Sequence, residues 1–178
     1  MAAEPASKPD ANLIAGCEEV SSEKSFYENA DKYWKTVSPN VNGMLGGYSH
    51  ICGVDIQGSK QFLRPFILGP NPRIQRTRAL DCGSGIGRIS KLFLLHSFDT
   101  VDLLEQNSEF LKQAKVYLGP QLCTRVGDLI CCGMQDATLK TAYYDLIWVQ
   151  WVTGRFTLFW FWIQVVHASQ HDMRCGFF

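Results

Sequence analysis

A Rossmann-like, doubly wound α/β fold with a parallel sheet at its centre is predicted by three features of the sequence. Ala79 to His96 reads as a strand, a glycine turn and a helix: Ala79–Cys82 is a short apolar run, and Ile86, Ile89, Leu92, Phe93 and Leu95 recur at helical spacing. The alternation then repeats, with an apolar-biased run at Thr100–Leu104, a helical pattern through Phe110, Leu111, Ala114 and Tyr117, and a further apolar run at Leu129–Cys132. Tyr144–Trp151 is almost unbroken in its apolar character, as a strand buried on both faces requires.

The glycine turn carries the chemistry. Gly83, Gly85 and Gly87 stand at alternate positions where strand meets helix, and lacking a Cβ they permit positive φ and close approach to the backbone at a helix N-terminus. A dinucleotide fingerprint spaces its glycines Gly-x-Gly-x-x-Gly to hold a pyrophosphate, whereas this turn reads Gly-x-Gly-x-Gly with Asp81 two residues ahead. A carboxylate there repels a diphosphate and attracts an ammonium or sulfonium. S-adenosylmethionine fits that charge pattern, with Arg88 placed to meet its carboxylate in a bidentate fork. An arginine in the first helical turn opposes the helix dipole, which calls for an anion close by. A nicotinamide-linked oxidoreductase is disfavoured by the same two features. A tight turn with no ligand remains the alternative for this stretch taken alone.

The remaining elements follow in order. Met1–Val20 has no charged start leading into an apolar core, so residues 1–20 are expected to be a disordered N-terminus and no signal peptide. Residues 21–70 are expected to form a helical lid and a substrate loop. A helix from Ser22, capped by Ser21 or Ser22, puts Phe26, Ala30, Tyr33 and Trp34 on one stripe, and the Asn42–Tyr48 loop is too glycine-rich for regular structure and too apolar for a linker. Trp34, Tyr33, Leu45 and Ile51 line a pocket or are plain core. A second helix spans Asp55–Leu68, with Pro65 kinking it or marking its first turn. Residues 71–154 form the ligand-binding core. Glu105 lies 24 residues beyond Asp81, near the ~20-residue spacing at which an acidic residue accepts hydrogen bonds from ribose hydroxyls; capping the next helix is the other reading. Met134 and Gln135 follow the third strand and flank an adenine, while Gln150 and Trp151 end the fourth and look into the crevice.

Composition excludes several classes. The 17 basic and 17 acidic residues leave no net field to mark nucleic acid or a membrane as partner, and 46% hydrophobic residues in 178 suffice for one packed core. Seven scattered cysteines without a Cys-x-x-Cys pair argue against a zinc site or a disulfide framework, and Cys131-Cys132 are expected within a strand, one thiol on each face.

From about Phe26 to Gly154 the chain resembles the eukaryotic protein N-terminal (alpha-N) methyltransferases, on the strength of Met44-Leu45-Gly46-Gly47-Tyr48, Ala79–Arg88 and Asp145–Val152. The resemblance implies a class I S-adenosylmethionine-dependent fold with a seven-strand sheet and a helical lid. It implies a cofactor held by Gly83, Arg88, Glu105, Gln106, Asn107, Met134, Gln135 and Gln150, and a peptide pocket formed partly by Trp34, Leu45, Ile51 and Trp151. It implies protein substrates with Xaa-Pro-Lys N-termini, and location in the nucleus and cytoplasm.

Beyond Gly154 the sequence departs from that family. Arg155 stands where the family has a histidine, an aromatic run follows from Phe156, and Asp172 is the single acidic residue after Asp145. The acidic residues that do the family's proton work are missing, so no catalytic residue is assigned. Residues 155–178 are expected to be a divergent tail on a shortened isoform with impaired activity, the sheet stopping at four strands with an open edge. The apolar run Phe156–Val166 is about half a bilayer span and is expected to pack on that open face or to drive aggregation.

Overall fold

The computed structural model describes residues 23–152 and 164–166. Helix α1 (Glu23–Thr36) is followed by the one-turn helix α2 (Val41–Met44), whose cap is Asn40: its side chain accepts the Gly43 N–H at 2.9 Å. A 3-10 turn, Ser49–Ile51, runs directly into α3 (Cys52–Leu68), so that helix begins three residues before the sequence pattern predicts and carries Pro65 in its last turn rather than its first.

Five strands follow, β1 (Arg78–Cys82), β2 (Thr100–Leu104), β3 (Val126–Ile130), β4 (Leu146–Val149) and β5 (Gln164–Val166), in the order β3-β2-β1-β4-β5. The first four are parallel; β5 runs antiparallel to β4, with Trp148 opposite Val165. The expected four-strand sheet with an open β4 edge is therefore corrected, because part of the tail pairs with that edge and satisfies its backbone groups. Residues 1–22, which include the expected N-terminal segment and the Ser21 or Ser22 cap, lie outside the described residues, as does the rest of the tail apart from β5.

Alternation along the strands sorts the side chains into two layers. Ala79, Val101, Leu103, Leu146 and Trp148 face the main core, built with Ile56, Leu63 and Ile67 of α3, with Ile89 of α4 (Arg88–Leu92), and with Leu111, Ala114 and Leu118 of α5 (Ser108–Cys123). Leu80, Cys82, Leu104 and Val149 face the other way, into a smaller cluster completed by Tyr144 and the loop residues Ala137, Leu139 and Tyr143. Among the described residues no α-helix contributes to that second cluster, and α3, α4 and α5 pack on the opposite face of the sheet.

Other boundaries also differ from those predicted, β4 being confined to Leu146–Val149 within the Tyr144–Trp151 run. The helix after the glycine turn is short, giving way at Phe93 to a 3-10 turn at Leu94–His96. Strand β3 starts at Val126 and ends at Ile130, which puts Cys131 and Cys132 just past it rather than within it. Buried Asp102 of β2 accepts the Asp128 N–H at 2.8 Å and helps tie this earlier segment to the sheet. Helix α5 breaks at Gly119 (φ 79°, ψ 165°), where the Gly-Pro pair predicts a stop.

Candidate functional site

The carboxyl ends of β1, β2 and β4 meet at the glycine turn. Gly83, Gly85 and Gly87 all adopt positive φ, 65°, 55° and 76°, a conformation glycine enters without steric cost. The Gly83 and Ser84 N–H groups donate to the Leu104 carbonyl at 2.8 and 3.0 Å, tying the turn to β2. Glu105 then clamps the corner: Oε2 accepts the Gly85 N–H at 3.0 Å and Oε1 the Asn107 N–H at 2.9 Å. Burial raises the Glu105 carboxyl above its ordinary range, offset in part by the backbone donors of Asn107, Gly85 and Gln106.

The protein uses some of the room that the glycines leave. A Cβ at Gly83 would overlap the Val152 side chain, and one at Gly85 would overlap the Met44 sulfur. Met44 comes from the predicted substrate loop and Val152 lies three residues beyond β4, so the turn packs against both segments.

Asp81 does not face the crevice as the charge argument requires. It shares its strand face with Ala79, which looks into the helix layer, and its Oδ2 accepts from Ser90 of α4 twice, from Oγ at 2.6 Å and from N at 3.1 Å. Burial pushes its carboxyl up to about 6, against the Ser90 bonds and the Arg88 charge.

Arg88 is buried and lies with its Nη1 2.7 Å from Asp55 Oδ2 and 3.7 Å from Cys52 Sγ. The anion that the first-turn arginine requires is thus supplied by α3. Asp55 Oδ2 accepts no hydrogen bond of ordinary angle, so this contact is an ion pair rather than an aligned bond. Asp55 Oδ1 accepts from Gln150 Nε2 at 2.6 Å and Trp151 Nε1 at 3.0 Å. Gln150 Oε1 accepts from Trp148 Nε1 at 2.8 Å and lies 3.1 Å from Ser59 Oγ, whose single proton is shared between it and the Asp55 carbonyl. Gln150 turns inward because it lies two residues past Trp148, on the same strand face. Asp55 and Ser59 escaped the sequence reading. The signal was there: at i and i+4 they interrupt the stripe that Ile56, Leu63 and Ile67 bury, and a polar pair on a buried stripe demands partners.

The other candidates spread outward. Asn107 is buried; its side chain caps α5 through the Glu109 N–H at 3.0 Å and donates to the Trp34 carbonyl at 3.4 Å, bringing α1 to the mouth. Trp34 is half-buried and edge-on to Phe110, with ring centroids 6.4 Å apart. Leu45 is buried and Ile51 half-buried. Gln106 is half-buried, while Met134 and Gln135 are exposed on a 3-10 turn, with Gln135 Nε2 donating to Asp136 at 3.0 Å. Trp151 is 42% exposed and holds a left-handed backbone, φ 63°, strained for a bulky residue. Among the described residues no cluster of His, Cys, Asp or Glu is arranged to hold a metal, and no helix is long and apolar enough to cross a membrane.

The chain is similar to the N-terminal Xaa-Pro-Lys N-methyltransferase 1 of Homo sapiens, 49% identical over 141 residues that make up 79% of this chain and 62% of that protein. The 1-B enzyme of Xenopus laevis is 48% identical over 138 residues, 78% of this chain and 61% of its own length. A solved SAM-dependent methyltransferase from Leishmania major superposes with a TM-score of 0.66 at 42% identity, covering 76% of this chain and 52% of that one. The chain thus spans about three fifths of the length of the curated relatives it matches. The family described as AdoMet dependent proline di-methyltransferases matches residues 22–162, and with the corner, the clamp and the β4 terminus all inside that span, this chain belongs to that family.

Proposed function

We propose that the crevice over the ends of β1, β2 and β4 binds S-adenosylmethionine and serves methyl transfer to the α-amine of proteins with Xaa-Pro-Lys N-termini. The observation that carries the reading is the Glu105 clamp: a buried carboxylate held by backbone N–H groups against the glycine corner at the end of β2, the place where an acidic side chain meets ribose hydroxyls. Two further features fit the donor. Ser84 Oγ is buried in the corner with no hydrogen-bond partner among the described residues, a polar group that a bound ligand would satisfy. Exposed Met134 offers an apolar, polarizable surface suited to a purine.

In this reading Gly83, Glu105, Gln106 and Asn107 bind the nucleoside, Met134 and Gln135 flank its base, and Arg88 and Gln150 orient its amino-acid end. The bound donor supplies an electrophilic methyl on a sulfonium. What the chain supplies is position and dryness. An α-amine titrates near 8 and attacks only when neutral, and aromatic walls such as Trp34 and Trp151 stack on a proline ring and tolerate the cation that forms. Donor binding by calorimetry followed by methylation of a Ser-Pro-Lys peptide tests the proposal; no binding at millimolar donor rejects it.

A second reading, a non-catalytic donor-binding chain, is favoured by the single acidic residue after Asp145, since acidic side chains usually orient the amine and take its proton. Donor binding without peptide turnover selects it.

A further inference from the structure

We propose that Asp55 is a positioning residue through which one carboxylate sets both halves of the site, holding Arg88 and Gln150 for the donor and Trp151 for the acceptor; this rests on the reading of the crevice given above. Its three partners come from two separate segments. Arg88 opens α4 directly after the glycine corner, and Gln150 and Trp151 directly follow β4, while Asp55 itself lies in the first turn of α3. No other described carboxylate reaches all three. Its side chain is 2% exposed, so water does not replace a lost partner.

The atoms divide the work. Oδ2 faces Nη1 of the Arg88 guanidinium, fixing which edge of its planar five-donor fork is turned toward α3. Oδ1 takes the Gln150 amide and the Trp151 indole together. Because Gln150 donates to Asp55, its amide orientation is determined: Oε1 is turned toward Trp148 and Ser59. The bond to Trp151 holds the indole of a residue in a left-handed backbone that an L side chain rarely adopts. Strain of that kind persists only where surrounding contacts over-determine it, and the indole's bond to Asp55 is such a contact.

An asparagine has the same shape and cannot do this work. Its single oxygen can face Arg88 or the Gln150–Trp151 pair; in either case its NH₂ confronts a donor. In the full chain, Asp55→Asn is expected to weaken S-adenosylmethionine binding at least tenfold by calorimetry. It is expected to shift the indole N–H signals of Trp151 and Trp148 while that of Trp34 stays, the Trp151 signal being assigned with Trp151→Phe. The indole shifts separate positioning from a general loss of stability, which moves no single signal. An affinity within twofold of the parent, or an unmoved Trp151 indole, overturns the inference while leaving the donor site intact. A parent chain that binds no donor overturns the proposed function itself and the inference with it. Should Asp55→Asn not fold, the parent decides: the Trp151 indole proton must exchange with solvent at least tenfold more slowly than a free indole, and exchange at the free rate overturns the assignment.

Discussion

Asp102 and Asp55 are both carboxylates taken out of water and paired with an arginine, yet their partners come from different kinds of place. Asp102 lies inside β2, its side chain fully buried, and takes Arg78 of β1 through Nε at 3.1 Å and Nη2 at 2.7 Å, the Tyr144 hydroxyl at 2.8 Å and the Asp128 N–H at 2.8 Å. All four contacts belong to the sheet or its margin, and even the absent Cβ of Gly127 is explained by them, since Asp102 and Arg78 occupy that space. Asp55 instead joins α3 to the residue that follows the glycine corner and to the two residues just past β4. The first carboxylate holds strands in register; the second holds the crevice in shape. Burial of a charge therefore tells little about its role, and the elements its partners come from tell more.

Breaking that comparison begins at Asp102. Asp102→Ala leaves the Arg78 guanidinium without its buried partner and is expected to cost about 3–5 kcal/mol in urea unfolding, the range for removing one member of a buried pair. Asp55→Asn, with contacts at the end of the crevice rather than a sheet register at stake, is expected to cost less stability and more donor affinity. Equal losses of stability in the two would erase the distinction.

Next in size is a dependence on pH. Asp81 sits at about 6 in the fold against an ordinary value of about 3.9, so the folded state holds its proton more tightly than the unfolded chain does. The stabilisation is complete below about pH 4, is lost as pH rises toward 6, and is constant above that; a shift of this size amounts to ~3 kcal/mol at most. Asp81→Asn should flatten this fall in a series of melts from pH 4 to 7. Glu105, raised by burial, contributes with the same sign.

A smaller effect is expected at the corner. Gly85→Ala puts a Cβ at φ 55° and against Met44, a left-handed cost of about 1–2 kcal/mol plus the overlap. Adding Met44→Ala should recover the overlap and leave the backbone cost, which a double-mutant cycle of thermal melts resolves. The smallest is at β5, where Val165→Pro disturbs an edge strand of three residues and is expected to cost about 1 kcal/mol.

Much of the core was legible because its signals are local. Strand β2 matches its predicted span, and the corner announces itself by three glycines that backbone geometry requires. The orientation of Asp81 was also within reach, since alternation from buried Ala79 turns it toward the helices. The β3 boundary was not, because pairing with β2, a strand distant in sequence, and the Asp102 bond to Asp128 N–H bear on where Val126–Ile130 joins the sheet.

The sequence by itself determined the alternation of strand and helix and the glycine corner, since each is written within a few residues and obeys periodicity or steric rules. Only the tertiary structure decided which carboxylate meets Arg88, how Gln150 and Trp151 are held and that β5 covers β4. Those contacts join residues far apart in the chain, such as Asp55 and Gln150, 95 positions apart, and a hydrogen bond between them exists only once burial has removed water as the competing partner.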